Sequence, residues 1–495
     1  MALRSSCFRA LVSIAALAPV LLGCIARTVE RPELAPDITN SSSGPIVANR
    51  NVDLLFLIDD SMSMTKSQEN LLRNFPVLMN ALQNLAGGLP NVHVAVASSD
   101  MGAGDGSIGL CNATGGKNGA FQHTARGACT ATGLDPGATF IANVDGQKNY
   151  AGDLGDVFSC IAALGDGGCG FEQPLAAISR ALGADGPAPA ENEGFLRPDA
   201  FLAIVLISNE DDCSVPGGSL LFDTSANQTL DSALGPPISF RCNEFGHLCD
   251  GAPPARLAPN GDMNATRSYA SCVPSDGAGL LSNVVDTAAR IKALKADPEQ
   301  VMVAAITGLP APYAVHWTAP GVRSDPPWPE VSHSCIAGDG SFADPAIRTS
   351  AFVNEFGANG LLLPICADDF APALSRIAEK IADHVSKPCV AGTVAKRPGT
   401  ASDDCVVVSM TADGQGGRAE NVLSSCADTA GVGPCWQLGA GENGCAGQSL
   451  TVVPDATAPA PAWQSVTLQC ALCVSGVSDP TPSHGATGSA AFGTS

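Results

Sequence analysis

The feature that most constrains the fold is a short apolar run that ends abruptly in oxygen-bearing side chains. Residues 54–58 are all apolar, which is typical of a strand buried on both faces of a parallel sheet. Asp59, Ser61 and Ser63 follow directly. Ligands bind at the carboxyl ends of strands in open α/β sheets, and hard oxygen donors suit Mg²⁺ or Ca²⁺. The sequence therefore predicts a divalent-cation site here, the alternative being that these residues only cap the following helix.

The same stretch carries a resemblance to a known family. Asp59-Asp60-Ser61-Met62-Ser63 resembles the DxSxS signature of von Willebrand factor type A (VWA) domains, whose metal-ion-dependent adhesion site lies at that strand end. The strand before it and the amphipathic helix after it are similar to the same family. The resemblance implies a doubly wound, mostly parallel, Rossmann-like α/β sheet over residues 51–388, and a role in adhesion or protein–protein interaction.

The resemblance implies two further metal-site loops, and the sequence departs from the family pattern in both. In residues 165–175 the family's threonine is absent, and Glu172 is the candidate oxygen donor. The alternative is a carboxylate that is merely favoured by a helix N-terminus. After the apolar strand 201–207, Asn209 stands where the family has an aspartate, and Asp211 would point the same way if the backbone stays extended. We therefore expect weak binding of Mg²⁺ or Ca²⁺.

Three long insertions interrupt the alternating strand and helix patterns, near residues 101–137, 213–276 and 309–344. Each follows the carboxyl end of a predicted strand, so all three should gather at the edge that holds Asp59. Loops of this length inside a compact domain are usually functional. We expect them to form a partner-binding surface, whereas the alternative is surface decoration, because long loops cost little entropy.

The N-terminus has the pattern of an export signal. Residues 10–22 are an apolar stretch after two arginines, and 13 residues are too few for a bilayer span, which needs about 20. The end of this stretch, Leu-Leu-Gly-Cys24, resembles the lipobox of bacterial lipoproteins, which implies a signal peptide over 1–23, lipid on Cys24 and a tether over 24–50. By analogy with the commonest sorting rule, Ile25 favours the outer membrane of a Gram-negative bacterium. An ordinary secretory signal is the alternative.

Cysteine usage agrees with export into an oxidising compartment. The chain has 19 cysteines, and 17 remain when Cys7 and Cys24 are set aside. Ten of the 17 lie within 51–388 and seven follow. Local loop closure predicts the disulfides Cys111–Cys129, Cys160–Cys169 and Cys242–Cys249, and the odd total leaves at least one thiol unpaired in a monomer.

The C-terminal part reads as a small disulfide-held β module over 389–475, followed by a disordered tail over 476–495. Cys470 and Cys473 have the spacing of a redox pair. They lack the strand-to-helix context that lowers a thiol pKa, so structural pairing is favoured over a thiol–disulfide oxidoreductase.

Composition and motifs narrow the function classes. The net charge of −22 and pI near 4.5 argue against nucleic acid as a partner. There is no HExxH, GxSxG or Walker-type motif, so we expect no enzyme. We predict a lipid-anchored cell-envelope protein that binds a protein partner of unknown identity, and that contacts the membrane through the lipid on Cys24. A metal-independent interaction scaffold is the alternative.

Overall fold

The computed structural model describes residues 39–45, 50–85, 88–109, 111, 114–225, 229–262, 264–318, 327–385, 388–390, 393–412, 418–429, 434–440, 448–453 and 464–472. In chain order the strands are β1 (Thr39–Pro45), β2 (Asn51–Ile58), β3 (Asn91–Ser98), β4 (Ile141–Val144), β5 (Gln147–Lys148), β6 (Phe201–Ile207), β7 (His247–Cys249), β8 (Thr266–Tyr269), β9 (Cys272–Pro274), β10 (Val301–Thr307), β11 (Tyr313–Thr318), β12 (Trp328–Val331), β13 (Cys335–Ile336), β14 (Phe342–Ala343), β15 (Gly360–Pro364), β16 (Cys389–Val390), β17 (Cys405–Ala412), β18 (Arg418–Ser425), β19 (Cys435–Ala440), β20 (Gln448–Val453) and β21 (Gln464–Ala471). The helices are α1 (Thr65–Gln83), α2 (Leu154–Ala162), α3 (Pro174–Leu182), α4 (Phe240–Gly246), α5 (Val284–Lys292), α6 (Ile347–Asn354) and α7 (Ala371–Val385).

The central sheet has the strand order β15-β10-β6-β2-β3-β4-β5. Its first five strands are parallel, and β4 and β5 add an antiparallel edge. β2 lies in the middle, where Leu55 is opposite Ala95 on β3 and Ile204 on β6. The predicted mostly parallel α/β sheet is confirmed, and the apolar run after Asp53 is its central strand.

Alternate side chains of β2 enter two separate hydrophobic cores, one on each face of the sheet. Leu54 and Phe56 pack with α1, α2 and α7, and the ring of Phe56 contacts the ring of Phe158 at a centroid distance of 4.8 Å. Leu55 and Leu57 pack on the other face with α3, α5 and α6. A strand covered by helices on both faces has no polar side to show, which explains the absence of alternation in its sequence.

Three disulfides of the α/β part join different segments, and two lie within the second insertion. Five lie in the α/β part: Cys111–Cys169, Cys129–Cys160, Cys213–Cys242, Cys249–Cys272 and Cys335–Cys366. The predicted pairs Cys111–Cys129, Cys160–Cys169 and Cys242–Cys249 are therefore wrong, although all six cysteines are disulfide-bonded.

The correct pairs follow from which segments lie side by side. The loop that carries Cys129 packs on α2, where the N–H of Arg126 donates to the carbonyl of Cys160 at 3.1 Å. Cys249 and Cys272 are directly opposite each other in the antiparallel pair β7–β9, with 4.0 Å between their Cα atoms. Spatial adjacency of this kind is set by the tertiary fold, and sequence distance does not reveal it.

The C-terminal β module is a single curled sheet in the order β1-β21-β17-β18-β19-β20-β16. Its core includes Val407, Trp436 and Leu468, and among its described residues the disulfides Cys405–Cys470 and Cys426–Cys435 hold it. Cys470 is thus bonded to Cys405 across the pair β17–β21 rather than to Cys473, which lies outside the described residues.

The first strand of this sheet comes from the N-terminal segment. β1 pairs antiparallel with β21, from Thr39 opposite Ala471 to Pro45 opposite Ser465. Residues 39–45 of the predicted tether over 24–50 therefore form a strand of this sheet. The segment TNSSSGP has no apolar alternation from which a strand could be predicted. Its partner β21 offers a free backbone edge, and backbone hydrogen bonds to such an edge do not depend on side chains.

No helix in the described part of the chain combines the length and the apolar character that crossing a bilayer requires. The predicted signal peptide, the lipid site at Cys24 and the tail after residue 475 lie outside the described residues.

Candidate functional site

The predicted metal ligands from two loops come together at the carboxyl edge of the sheet. The hydroxyl oxygens of Ser61 and Ser63 are 3.2 Å apart, and the Ser63 hydroxyl donates to Oδ1 of Asn209 at 3.1 Å. Oδ1 of Asp59 accepts the N–H of Ser61 at 2.8 Å, and Oδ2 accepts the hydroxyl of Ser208 at 2.7 Å. The structure therefore brings Asp59, Ser61, Ser63 and Asn209 into one group of polar side chains.

Backbone pairing at the strand ends positions this group. The N–H of Asp59 donates to the carbonyl of Ile207, so the two ligand loops leave the sheet side by side. The side-chain amide of Gln68 on α1 donates to the carbonyls of Asp59 and Gly165, at 2.9 Å and 2.8 Å. A single buried amide thus fixes the first loop against the loop that carries Glu172.

Two more carboxyl groups lie beside Asp59. Glu172 is only 2% exposed, and its Oε1 is buried with no hydrogen-bond partner among the described residues. Burial, followed by the nearby charges of Glu210 and Asp59, raises the pKa of Glu172 well above its usual value. Burial likewise raises the pKa of Glu210 to about 8. Sequence reasoning did not place Glu210 beside Asp59, because nothing in the run 208–212 indicates which acid faces the site.

Burial also raises the pKa of Asp59, although hydrogen bonds from Ser61, Ser208 and Ser99 oppose that shift. The carboxylate of Asp60, the adjacent residue, forms an ion pair with Lys117 and accepts the hydroxyl of Ser98 at 2.6 Å. Burial lowers the pKa of Lys117 to about 8. No sequence pattern indicated that Lys117 would lie at this site.

Asp211 does not join this group. Its Oδ2 is bonded to Nε2 of His247 at 2.8 Å, and its carboxylate also accepts the backbone N–H groups of Arg348 and Thr349. Its neighbour Asp212 forms a fully buried ion pair with Arg348 at 3.0 Å. The expectation that Asp211 would point toward the metal site assumed an extended backbone, and these contacts engage its oxygens elsewhere.

Each of the three insertions contacts this edge, as predicted from the strand polarity. Lys117 of the first insertion pairs with Asp60, and His247 of the second bonds Asp211. In the third, the carbonyl of Phe342 accepts the side-chain amide of Asn209 at 3.0 Å. This hydrogen bond from the side-chain amide fixes the orientation of Asn209, so that its Oδ1 accepts the Ser63 hydroxyl.

The donor set of the group suits a hard cation. Among the described residues, no group of three or more His, Cys, Asp and Glu side chains is arranged to hold a metal ion. The oxygens that do converge are those of one carboxylate, two hydroxyls and an amide, with the unpartnered Oε1 of Glu172 buried nearby. Oxygen donors of this mixed kind fit Mg²⁺ or Ca²⁺ better than a transition metal.

Comparison with known proteins finds only weak structural similarity. No family model matches the sequence, and no curated protein matches it. Among solved structures, the chain is similar to the pilus adhesin RrgA from Streptococcus pneumoniae, with a TM-score of 0.28 and 8% identity, covering 87% of this chain and 58% of that one. It is also similar to the adhesive tip pilin GBS104 from Group B Streptococcus agalactiae, with a TM-score of 0.27 and 11% identity, covering 87% and 81%. The chain thus spans less than two thirds of RrgA, and likenesses this weak carry no argument about fold or function.

Proposed function

We propose that this is an exported, lipid-anchored cell-envelope protein that uses a VWA-like domain for adhesion or protein–protein interaction. The observation that carries the proposal is the convergence of Asp59, Ser61, Ser63 and Asn209 at the carboxyl edge of the sheet. All three insertions contact the same edge, so a partner that docks there would meet the polar group and the insertion loops together.

We propose further that Mg²⁺ or Ca²⁺ binds weakly at this group, with Asp59, Ser61 and Ser63 as ligands and Asn209 beside them. Glu172 and Glu210 support the proposal, because carboxyl groups crowded in a buried place are stabilised when a cation neutralises them. When bound, the ion would supply positive charge to which an oxygen of the partner can bind. The protein's own residues orient that position, since Gln68 and Ser208 hold Asp59 in place.

A metal-independent interaction scaffold is the second candidate. It is favoured by the hydrogen bonds that already satisfy both carboxylate oxygens of Asp59, and by the ammonium group of Lys117 beside Asp60. In that case the insertion loops would bind the partner without any cation.

Capture of a partner with the full chain separates the two candidates. We expect Mg²⁺ or Ca²⁺ to restore capture after chelation, and Asp59→Ala to abolish that response. The matched control is Glu379→Ala, which removes an exposed carboxylate on α7. Partner capture that is equal with chelator and with added cation would support the scaffold and contradict metal assistance.

A further inference from the structure

A cavity of about 290 Å³ lies beside the Asp59 group, between the second and third insertions. Its walls include Glu210, Phe240, Trp328, Glu330, Phe342 and Asp344. Glu210 lines this cavity, and the charges of Asp344 and Asp59 both act on its carboxyl group. The volume exceeds that of one long side chain and is far too small for a folded segment of a partner.

The polar lining of the cavity is acidic. Three carboxyl groups and the imidazole of His333 line it, and no lysine or arginine is found among the described residues of its wall. Asp344 accepts a hydrogen bond from His333 at 2.7 Å, and Glu330 faces His316 at 3.4 Å. Glu330 is exposed and lies within reach of solvent, whereas Asp344 is partly buried.

The remaining walls are aromatic. Trp328, Phe240 and Phe342 line the same space, and Phe342 stacks on His333 with a centroid distance of 3.8 Å. Aromatic faces attract organic cations and pack well against methylene groups. The acids, by contrast, are not arranged as metal ligands, because no metal-holding group of three acids or histidines occurs among the described residues. Carboxyl groups that are spaced apart, together with aromatic walls, suit an organic cation better than a metal ion.

We propose that this cavity receives a lysine or arginine side chain of the protein partner. The carboxyl groups of Glu330, Asp344 and Glu210 accept hydrogen bonds from its ammonium or guanidinium group, and Trp328 packs against its aliphatic part. This inference rests on the proposed function only in that the partner is a protein, and it does not require a bound metal.

The test uses the full chain in the presence of a chelator, so that its result is independent of the proposed metal. N-acetyl-lysine methylamide and N-acetyl-arginine methylamide are titrated while the indole signal of Trp328 is followed by NMR. Trp328→Phe identifies that signal among the four tryptophans of the chain. The neutral N-acetyl-norleucine methylamide serves as the isostere without charge.

We expect saturable binding of at least one basic probe, with the norleucine probe at least about tenfold weaker. Glu330→Gln, at an exposed position, should weaken the basic probe by at least about threefold, and Asp344→Asn should act in the same direction. Glu379→Gln on α7 should leave binding unchanged. The inference is overturned if neither basic probe binds saturably, if norleucine binds equally well, or if both carboxamide variants bind like the parent.

Discussion

The Asp59 group has two carboxyl neighbours, Glu172, which the family resemblance suggested, and Glu210, which it did not. Asp59 is the one carboxylate that faces the serines, while Glu172 and Glu210 lie beside it with raised pKa values. A divalent cation would favour the ionised form of each, so cation binding and proton release should be coupled.

The first prediction concerns Asn209. A dication and a unit charge about 4 Å apart attract by roughly 8 kcal/mol at a dielectric near 20, and desolvation offsets most of this. Asn209→Asp adds that charge but loses the amide hydrogen bond to Phe342, worth about 1 kcal/mol. We expect Mg²⁺ or Ca²⁺ to bind at least about threefold more tightly, measured by calorimetry.

Asp59→Ala is the companion variant, and it should abolish cation binding. Tight binding that survives the loss of Asp59 would locate the cation elsewhere in the protein. An unchanged affinity in Asn209→Asp would mean that position 209 does not face the ion. Thermal unfolding in chelator checks that each variant is folded.

The second prediction concerns pH. The pKa of Glu210 is raised from 4.5 to about 8 in the folded protein. The folded state therefore holds a proton that the unfolded state has lost, and stability should fall as pH rises from about 5 toward about 8. The Glu210→Gln variant lacks the titrating carboxyl group, so its unfolding temperature in chelator should decline less over this range. Glu379→Gln should follow the parent, and an identical slope in Glu210→Gln would contradict the shifted pKa.

At the scale of elements, the sequence pattern predicted the features that depend on residues close together in the chain. Apolar runs predicted β2, β6 and β10, because a strand buried on both faces has no polar side. Strand polarity likewise predicted that the insertions share the edge of Asp59. The DxSxS spacing indicated Ser61 and Ser63, and the family's aspartate position after the strand 201–207 indicated Asn209.

The predictions that the structure contradicts concern residues whose partners are distant in the chain. The disulfide Cys213–Cys242 joins the loop after β6 to α4, and nothing in the sequence around either cysteine indicates its partner. β1 was missed because residues 39–45 show no strand pattern, and their pairing with β21 is a tertiary contact. Asp211 was misassigned because one carboxylate in the run 208–212 turns to His247 while Glu210 faces Glu172. Such choices depend on packing, which spacing along the chain does not encode.

At the scale of the whole molecule, the chain enters and leaves the α/β part at the edge opposite the candidate site. β2 runs from Asn51 at the amino edge to Ile58 at the carboxyl edge, and β1 precedes it by residues 46–50. α7 starts after β15 and returns to the amino edge, where residues 386–388 lead to β16. The C-terminal module, which contains β1, is therefore connected at the amino edge, and the Asp59 group lies at the other end of the sheet.

The last prediction follows from this polarity. A lipid on Cys24 would be separated from β1 by residues 25–38, which span at most about 50 Å when fully extended. An anchor there would hold the C-terminal module toward the membrane and direct the Asp59 group away from it, where a partner can reach it.

Because more than one acyl chain is needed for stable anchoring, loss of the acylated thiol should release the protein. We expect Cys24→Ala to move the protein from the membrane fraction to the soluble fraction or to block its processing. Cation binding at the Asp59 group should be unaffected in the released protein. Membrane fractionation, with mass analysis of the N-terminal peptide, checks this. Unchanged membrane partition in Cys24→Ala, together with no acyl mass on the parent's N-terminal peptide, would rule out the lipid anchor.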